Sequence, residues 1–170
     1  MRVKNYSELQ HKNYKMNEIY TPEFRKIMQA NCDYTSMRSN RIEEILNFAK
    51  GMGISRLGIA HCITFSHEAQ VLERYFSRYF KVFTVGCKHD KVRKKDILGG
   101  DSKRIMCNPA GQADYLNDHG TELNISMGLC VGHDMIFSKQ SKGLVTNLFD
   151  KDFTNNNNPA IAFSEIEREL

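Results

Sequence analysis

Helix-like and strand-like stretches alternate along the chain. Between residues 40 and 51, apolar side chains recur at helical spacing, and Asn40 can cap the start of that helix. Four short, largely apolar runs follow, and their length is typical of buried strands. They cover residues 56–62, 81–87, 122–130 and 144–149. Between and after them the pattern predicts helices over about residues 66–80, 109–120 and 132–142.

This alternation predicts an α/β fold. Strands that are apolar along their whole length are buried on both faces, which favours a mostly parallel sheet of about four strands with helices on both faces. We therefore expect a single three-layer, Rossmann-like domain over residues 39–170, with a closing helix from residue 160. The more polar residues 1–38 are expected to form a helical lead segment, with a helix around residues 22–29, that packs on this domain.

The composition is that of one folded domain. The chain has 170 residues, of which 41% are hydrophobic and 26% are charged, and this is enough to bury one sizeable core. No window approaches the roughly 18 consecutive apolar residues of a membrane span, and the first residues lack the apolar stretch of a signal peptide. We expect a soluble, cytoplasmic protein without a membrane partner, whose five cysteines form no disulfide framework.

Positive charge is concentrated in one segment. The formal net charge is +4, but residues 81–104 alone contain eight lysines and arginines against three aspartates. A general nucleic-acid-binding protein usually carries a larger excess, so no nucleic-acid partner is expected. Residues 88–104, which include Gly99 and Gly100, are predicted to form a long, mobile, basic loop. Such a loop can be a solvated face, or it can admit a small anionic ligand.

Four cysteines occupy corresponding places in successive units of the fold. Cys62, Cys87 and Cys130 each close a predicted strand, whereas Cys107 precedes the helix start at residues 108–109. Because ligands bind outside the carboxyl ends of parallel strands, we expect the four thiols to converge at that edge. Four thiolates suit a zinc ion or an iron-sulfur cluster. The absence of tight CxxC pairs slightly favours the cluster.

Other uses of these residues stay open. A free cysteine is often a small buried apolar residue. One cysteine can instead serve a thiol redox or sulfur-transfer enzyme as nucleophile, its thiolate favoured by a helix N-terminus or by Lys88. A metal can also staple the sheet of a module that binds an acidic partner. Cys32 lies outside the strand-end pattern, and His133, three residues after Cys130, is a further candidate ligand.

Several strings resemble a known family. They are 41–44 (RIEE), 58–62 (GIAHC), 107–109 (CNP) and 128–134 (GLCVGHD), and over about residues 38–160 the chain resembles the DUF1847 family of uncharacterised proteins that are predicted to bind metal. The resemblance implies no particular activity. It implies a metal site at Cys62, Cys87, Cys107, Cys130 and His133, with neighbours Lys88, Asn108, Gln112, Asn117 and Asp134.

The chain also departs from the family pattern. Members commonly carry a further cysteine-rich stretch near the N-terminus, where this chain has only Cys32, so a second metal centre is not expected. The family strings K-D-R and H-N-P here read Lys151-Asp152-Phe153 and, at residues 157–159, N-N-P. These changes remove an arginine and a histidine that the family strings contain. The sequence therefore does not decide whether the site is catalytic.

Overall fold

A fully parallel sheet of four strands forms the centre of the protein. The computed structural model describes residues 15–169, so residues 1–14 of the expected lead segment lie outside the described part. The strands are β1 (Arg56–His61), β2 (Lys81–Gly86), β3 (Leu123–Met127) and β4 (Leu144–Phe149). Their order across the sheet is β2-β1-β3-β4, and every neighbouring pair is parallel.

Helices cover both faces of this sheet. They are α1 (Met16–Ile19), α2 (Pro22–Tyr34), α3 (Arg41–Met52), α4 (Ser66–Phe76), α5 (Lys94–Leu98), α6 (Pro109–Asp118), α7 (Val131–Gln140) and α8 (Phe163–Glu169). Side chains of α3 and α4 join one core with Leu57 and Ile125. Side chains of α6 and α7 join a second core with Ala60 and Val85. The expected three-layer, Rossmann-like α/β fold is therefore confirmed.

The start of α3 shows why this helix forms where the sequence indicates. The Asn40 side chain accepts hydrogen bonds from the N–H groups of Ile42 and Glu43 at 3.1 Å, and Glu43 accepts one from the Asn40 N–H at 3.2 Å. This reciprocal capping box satisfies donors that a helix otherwise leaves unpaired. Gly53, at φ 73°, ends the helix.

The lead segment contains a longer helix than the sequence suggests. Helix α2 reaches Tyr34, and Thr21 caps its start by accepting a hydrogen bond from the Phe24 N–H at 3.2 Å. The Tyr34 ring lies against Gly51 of α3, in the space that a Cβ there would need. In this way α2 packs on the outer side of α3.

The basic segment 88–104 is more ordered than the predicted loop. It contains a 3₁₀ turn at His89–Lys91 followed by α5. The Asp96 carboxylate accepts a hydrogen bond from the Arg93 N–H at 3.2 Å, which caps α5, and Gly99 at φ 74° ends the helix. Arg93 also pairs with Ile105 in an isolated antiparallel bridge. Local capping thus gives part of this segment regular structure, and residues 93–105 remain exposed.

The third strand ends earlier than the apolar run predicts. β3 stops at Met127 because Gly128 adopts φ 60°, a left-handed conformation that leaves the sheet. The Phe65 ring fills the position that a Cβ of Gly128 would occupy. As a result Cys130 does not close the strand but stands at the N-cap of α7.

The strand order creates one topological switch point. The chain leaves β1 toward α4 on one face of the sheet, and it leaves β3 toward α7 on the other face. The loops that follow these neighbouring strands therefore separate, and such a crevice is where open α/β sheets bind ligands. Within residues 15–169, no helix is long and apolar enough to cross a membrane.

Candidate functional site

Backbone hydrogen bonds hold three of the predicted cysteines at the carboxyl edge of the sheet. The Cys62 N–H donates to the Met127 carbonyl at 3.1 Å, and the Cys87 N–H donates to the His61 carbonyl at 2.9 Å. The Asn108 N–H, next to Cys107, donates to the Cys87 carbonyl at 2.8 Å. These bonds extend the sheet ladder beyond the strands, so the positions of the thiols follow from strand pairing.

Cys87 is the most deeply buried of these thiols. It is 2% exposed, and its sulfur lies 3.6 Å from the sulfur of Cys107, whose thiol donates toward it. The Ile63 N–H donates to the same sulfur at 3.3 Å. Burial raises the pKa of the Cys87 thiol to about 12, and the neighbouring thiols of Cys107 and Cys62 add to this rise against the Ile63 hydrogen bond. Without a bound cation, Cys87 is therefore a neutral thiol at neutral pH.

Cys62, also buried, has the opposite electrostatic environment. Its sulfur lies 3.5 Å from the Thr64 hydroxyl and 3.7 Å from the Lys151 ammonium. Burial acts to raise its pKa, but hydrogen bonds from the Thr64 side chain and backbone, the charge of Lys151 and a hydrogen bond with Cys87 outweigh it. The pKa of Cys62 is lowered as a result. Cys62 is thus the thiol that this surrounding favours as a thiolate.

Lys151 links Cys62 to Cys130. A hydrogen bond with the half-buried Cys130 raises the pKa of Lys151, burial opposes that rise, and the thiol of Cys62 adds to it. Cys62 follows β1 and Cys130 follows β3. Lys151 therefore interacts with thiols from both sides of the switch point. The structure brings all four predicted cysteines to one region: Cys62, Cys87 and Cys107 in a row of contacts, and Cys130 through Lys151.

His133 lies one turn into α7 on the same side. Burial lowers its pKa, and the charges of Lys151 and Lys88 lower it further. The imidazole is therefore neutral at neutral pH, which is the form that ligates metals. Lys88 donates to the Ile105 carbonyl at 3.2 Å, which fixes its position. Asp134, the next residue, has a buried Oδ1 that finds no hydrogen-bond partner among the described residues.

Two predicted neighbours shape the loops around the thiols. The Asn108 side chain caps α6 by accepting from the Gly111 N–H at 3.0 Å. Gln112 is fully buried, and its amide donates to the carbonyls of His61 and Val85 at 3.2 and 2.9 Å. Gln112 thus binds the ends of β1 and β2 from below the site. Both residues support the cysteines without contacting a sulfur through these bonds.

Asn117 lies at the other end of α6. Its amide donates to the Gln140 carbonyl at 3.1 Å and accepts from the Lys142 N–H at 2.8 Å. These bonds join the last turns of α6 and α7 at the amino edge of the sheet. The structure therefore does not bring Asn117 to the cysteines, because the eight helical residues between it and Asn108 carry it away from that edge.

The sequence pattern predicts no role at the site for Lys151 or Thr64. Thr64 could have been found from its position, because a hydroxyl two residues after a strand-end cysteine can reach back to the sulfur. Lys151 follows the end of β4, whose neighbour is β3. Its sequence signal is the lysine that it keeps from the family string K-D-R, but its place beside the cysteines follows from the parallel strand order, which brings the residues after β3 and β4 together.

Comparison with known proteins agrees with the resemblance seen in the sequence. The model of the family described as "Protein of unknown function (DUF1847)" matches residues 3–148. The chain belongs to the DUF1847 family. The uncharacterized protein MJ0455 of Methanocaldococcus jannaschii is 43% identical to this DUF1847 chain over 129 residues, which cover 73% of this chain and 66% of that relative. No solved structure matches the chain.

The cysteines of this DUF1847 member have donor chemistry that suits a soft metal. Thiolates from Cys62, Cys87, Cys107 and Cys130, with the neutral imidazole of His133, match the ligands of zinc and iron-sulfur sites. As the side chains stand, no group of three or more acidic, cysteine or histidine side chains in residues 15–169 is arranged to hold a metal ion. A metal bound here therefore requires side-chain rotation around thiols that are already neighbours.

Proposed function

We propose that this protein binds a metal through Cys62, Cys87, Cys107 and Cys130, with His133 as an additional candidate ligand. The observation that carries this proposal is the 3.6 Å separation of the Cys87 and Cys107 sulfurs. Two thiolates on one tetrahedral metal atom are about 3.8 Å apart when each metal–sulfur bond is about 2.3 Å. The two side chains are already close to that spacing.

Hydrogen bonds to the sulfurs also support the proposal. The Ile63 N–H donates to Cys87, the Thr64 hydroxyl lies 3.5 Å from Cys62, and Lys151 donates to Cys62 at 3.7 Å. Thiols are weak acceptors, whereas thiolates accept well. Donors around ligand sulfurs also orient them and tune the bound metal. These groups suit cysteines that work as thiolates.

The burial of Cys87 gives a further reason for a metal. Its pKa is raised to about 12 by burial and by the neighbouring thiols, so it does not ionise alone at neutral pH. A bound cation removes that penalty, because coordination deprotonates a thiol outright. Metal coordination therefore accounts for several neighbouring buried thiols, as ligands of one metal centre.

The metal is either zinc or the iron of an iron-sulfur cluster. The sulfur spacing of Cys87 and Cys107 suits zinc or one iron atom that takes two cysteines, and the four isolated ligands slightly favour the cluster. We propose that the protein is located in the cytoplasm, where its thiols stay reduced. Lys88 and the basic segment beside the site can attract a small anionic ligand.

Anaerobic purification followed by metal analysis and visible absorption spectroscopy tests this function. We expect iron or zinc in about stoichiometric amount, with visible absorbance if the metal is an iron-sulfur cluster. Cys87→Ser and Cys107→Ser should lose the metal, and Cys32→Ser is the matched control that should keep it. Protein that carries neither metal and takes up neither after anaerobic reconstitution contradicts the proposal.

A second candidate is a metal-independent thiol enzyme of redox or sulfur-transfer type. Cys62 favours it, because this thiol has a lowered pKa and lies beside both Thr64 and Lys151. Cys62 would attack the sulfur of a disulfide or sulfane-sulfur donor, and the donor's other sulfur would leave as a thiolate. Rapid alkylation of Cys62 in native, metal-free protein supports this candidate, and alkylation only after chelation of a metal excludes it.

A further inference from the structure

A single ammonium group lies between thiols from two different loops. Lys151 donates to the Cys62 sulfur at 3.7 Å, and it lies near enough to Cys130 for that thiol to raise the pKa of Lys151. Cys62 belongs to the loop after β1, and Cys130 belongs to the loop after β3. These loops leave the sheet toward opposite faces, so the Lys151 side chain joins them across the switch point.

The loop that carries Lys151 is built by its own hydrogen bonds. The Asp152 carboxylate accepts from the N–H and the side-chain amide of Asn155 at 3.1 and 2.9 Å, and the Asn157 side chain accepts from the Asp152 N–H at 3.1 Å. Asn156 and Asn157 adopt left-handed backbone conformations, at φ 52° and 61°, which asparagine tolerates better than most residues. The chain beside Lys151 is therefore fixed in a tight turn.

Aromatic packing anchors this loop to the site. The Phe153 ring lies 6.1 Å from the Phe65 ring, and Phe65 belongs to the turn that follows Cys62. The Lys151 ammonium lies 5.7 Å from the centre of the Phe153 ring, within the range of a cation–π contact. The Phe153 ring and the Cys62 sulfur therefore both hold the Lys151 side chain at the site.

The positive charge of Lys151 favours the metal-loaded form of the proposed site. Four thiolates around a divalent ion leave two net negative charges, whereas the metal-free site with protonated thiols carries few or none. A nearby ammonium therefore stabilises the loaded site more than the empty one. Lys151 contacts the sulfur of one proposed ligand, Cys62, and interacts electrostatically with a second, Cys130, on the other side of the switch point.

We propose that Lys151 is the positioning residue of the metal site, whose ammonium holds Cys62 and Cys130 together and balances the charge of the bound thiolates. This inference rests on the proposed metal binding. It adds a residue that belongs neither to the predicted ligands nor to their predicted neighbours.

Titration of metal-free, reduced protein with Co²⁺ tests the role of Lys151. The thiolate-to-cobalt charge-transfer band reports the coordinated sulfurs, and competition with a chelator gives the affinity. Lys151→Met should bind Co²⁺ at least about 10-fold more weakly, as for other groups that orient metal ligands. Lys151→Arg, which keeps the charge, should restore most of the affinity. Lys139→Met is the control, because it removes the same charge from the last turn of α7.

The results separate the two proposals. If the unmodified protein shows no charge-transfer band, the metal-binding function fails, and the role of Lys151 fails with it. If the unmodified protein binds Co²⁺ and Lys151→Met binds it equally well, only the role of Lys151 is overturned. Equal losses in Lys151→Met and Lys139→Met also overturn it. Circular dichroism checks that each variant is folded, and Lys151→Gln replaces the methionine variant if that one is not.

Discussion

The sulfur of Cys87 lies 3.6 Å from the sulfur of Cys107, although the two residues are twenty positions apart in the sequence. A disulfide bond of about 2.05 Å needs these atoms to approach by only about 1.5 Å. Treating metal-free protein with diamide should therefore form a Cys87–Cys107 disulfide, in which two thiols give two protons and two electrons to the diazene. Peptide mapping identifies the linked residues.

Cys107→Ser should remove this cross-link, and Cys32→Ser should not. Protein loaded with metal should resist the oxidation, because coordinated sulfurs are shielded. A disulfide between Cys62 and Cys130 in place of the expected pair would contradict the arrangement of thiols described above.

The thiols should ionise in a definite order as the pH rises. Cys62 has a lowered pKa because Thr64, Lys151 and Cys87 together outweigh its burial, whereas the pKa of Cys87 is raised to about 12. In metal-free protein, Cys62 should contribute thiolate absorbance near 240 nm at lower pH than Cys87 does, and below its own ordinary pKa. Cys62→Ser should remove that first step, and Thr64→Val should move it to higher pH. An unchanged titration in Cys62→Ser would refute the assignment.

Glu122 should stabilise the fold in a pH-dependent way. Its carboxylate accepts hydrogen bonds from the N–H groups of Ser55 and Arg56 at 2.8 and 2.9 Å, and these, against a smaller effect of burial, lower its pKa from 4.5. Because the folded pKa is below the unfolded one, this stability is present above about pH 4.5 and is lost as the pH falls through the folded value.

Urea unfolding of Glu122→Gln measures that contribution. At pH 7 the variant should lose about 1 kcal/mol, since the site is largely exposed and solvent screens the charge. The difference from the unmodified protein should vanish in strong acid. Glu165→Gln in α8 is the control and should leave the free energy of unfolding unchanged. A loss of equal size at low pH would show that the carboxylate charge is not the cause.

Two glycines should respond to alanine in opposite directions. A Cβ at Gly58 of β1 would collide with the Asn124 side chain and lie 2.8 Å from Leu116, whereas a Cβ at Gly132 of α7 meets nothing within 4 Å. Gly58→Ala should lower the free energy of unfolding by about 1–3 kcal/mol through overpacking. Gly132→Ala should raise it by about 0.5–1 kcal/mol, because alanine favours helix. Equal effects in thermal unfolding would contradict this packing.

Local signals predict the layered fold and the places of three cysteines. The Asn40 cap, the apolar strands and the Asn108–Pro109 helix start each act within a few residues, so the sequence reveals them. The strand order does not follow from local spacing, because it depends on pairing between distant strands. For that reason Lys151, which reaches Cys62 only when β4 lies beside β3, escapes prediction. Asn117 is expected near the cysteines from the family resemblance alone, and its place at the far end of α6 depends on where that helix packs.

The placement of one cysteine on each of four loops has a consequence for assembly. No short peptide from this chain contains all four proposed ligands, and no single loop would carry the proposed site with it if transplanted. Correct coordination therefore requires that the sheet has already adopted its β2-β1-β3-β4 order. A spectroscopic signal from the loaded site would then report completion of the tertiary structure, and loss of that signal would be an early marker of separation between β1 and β3.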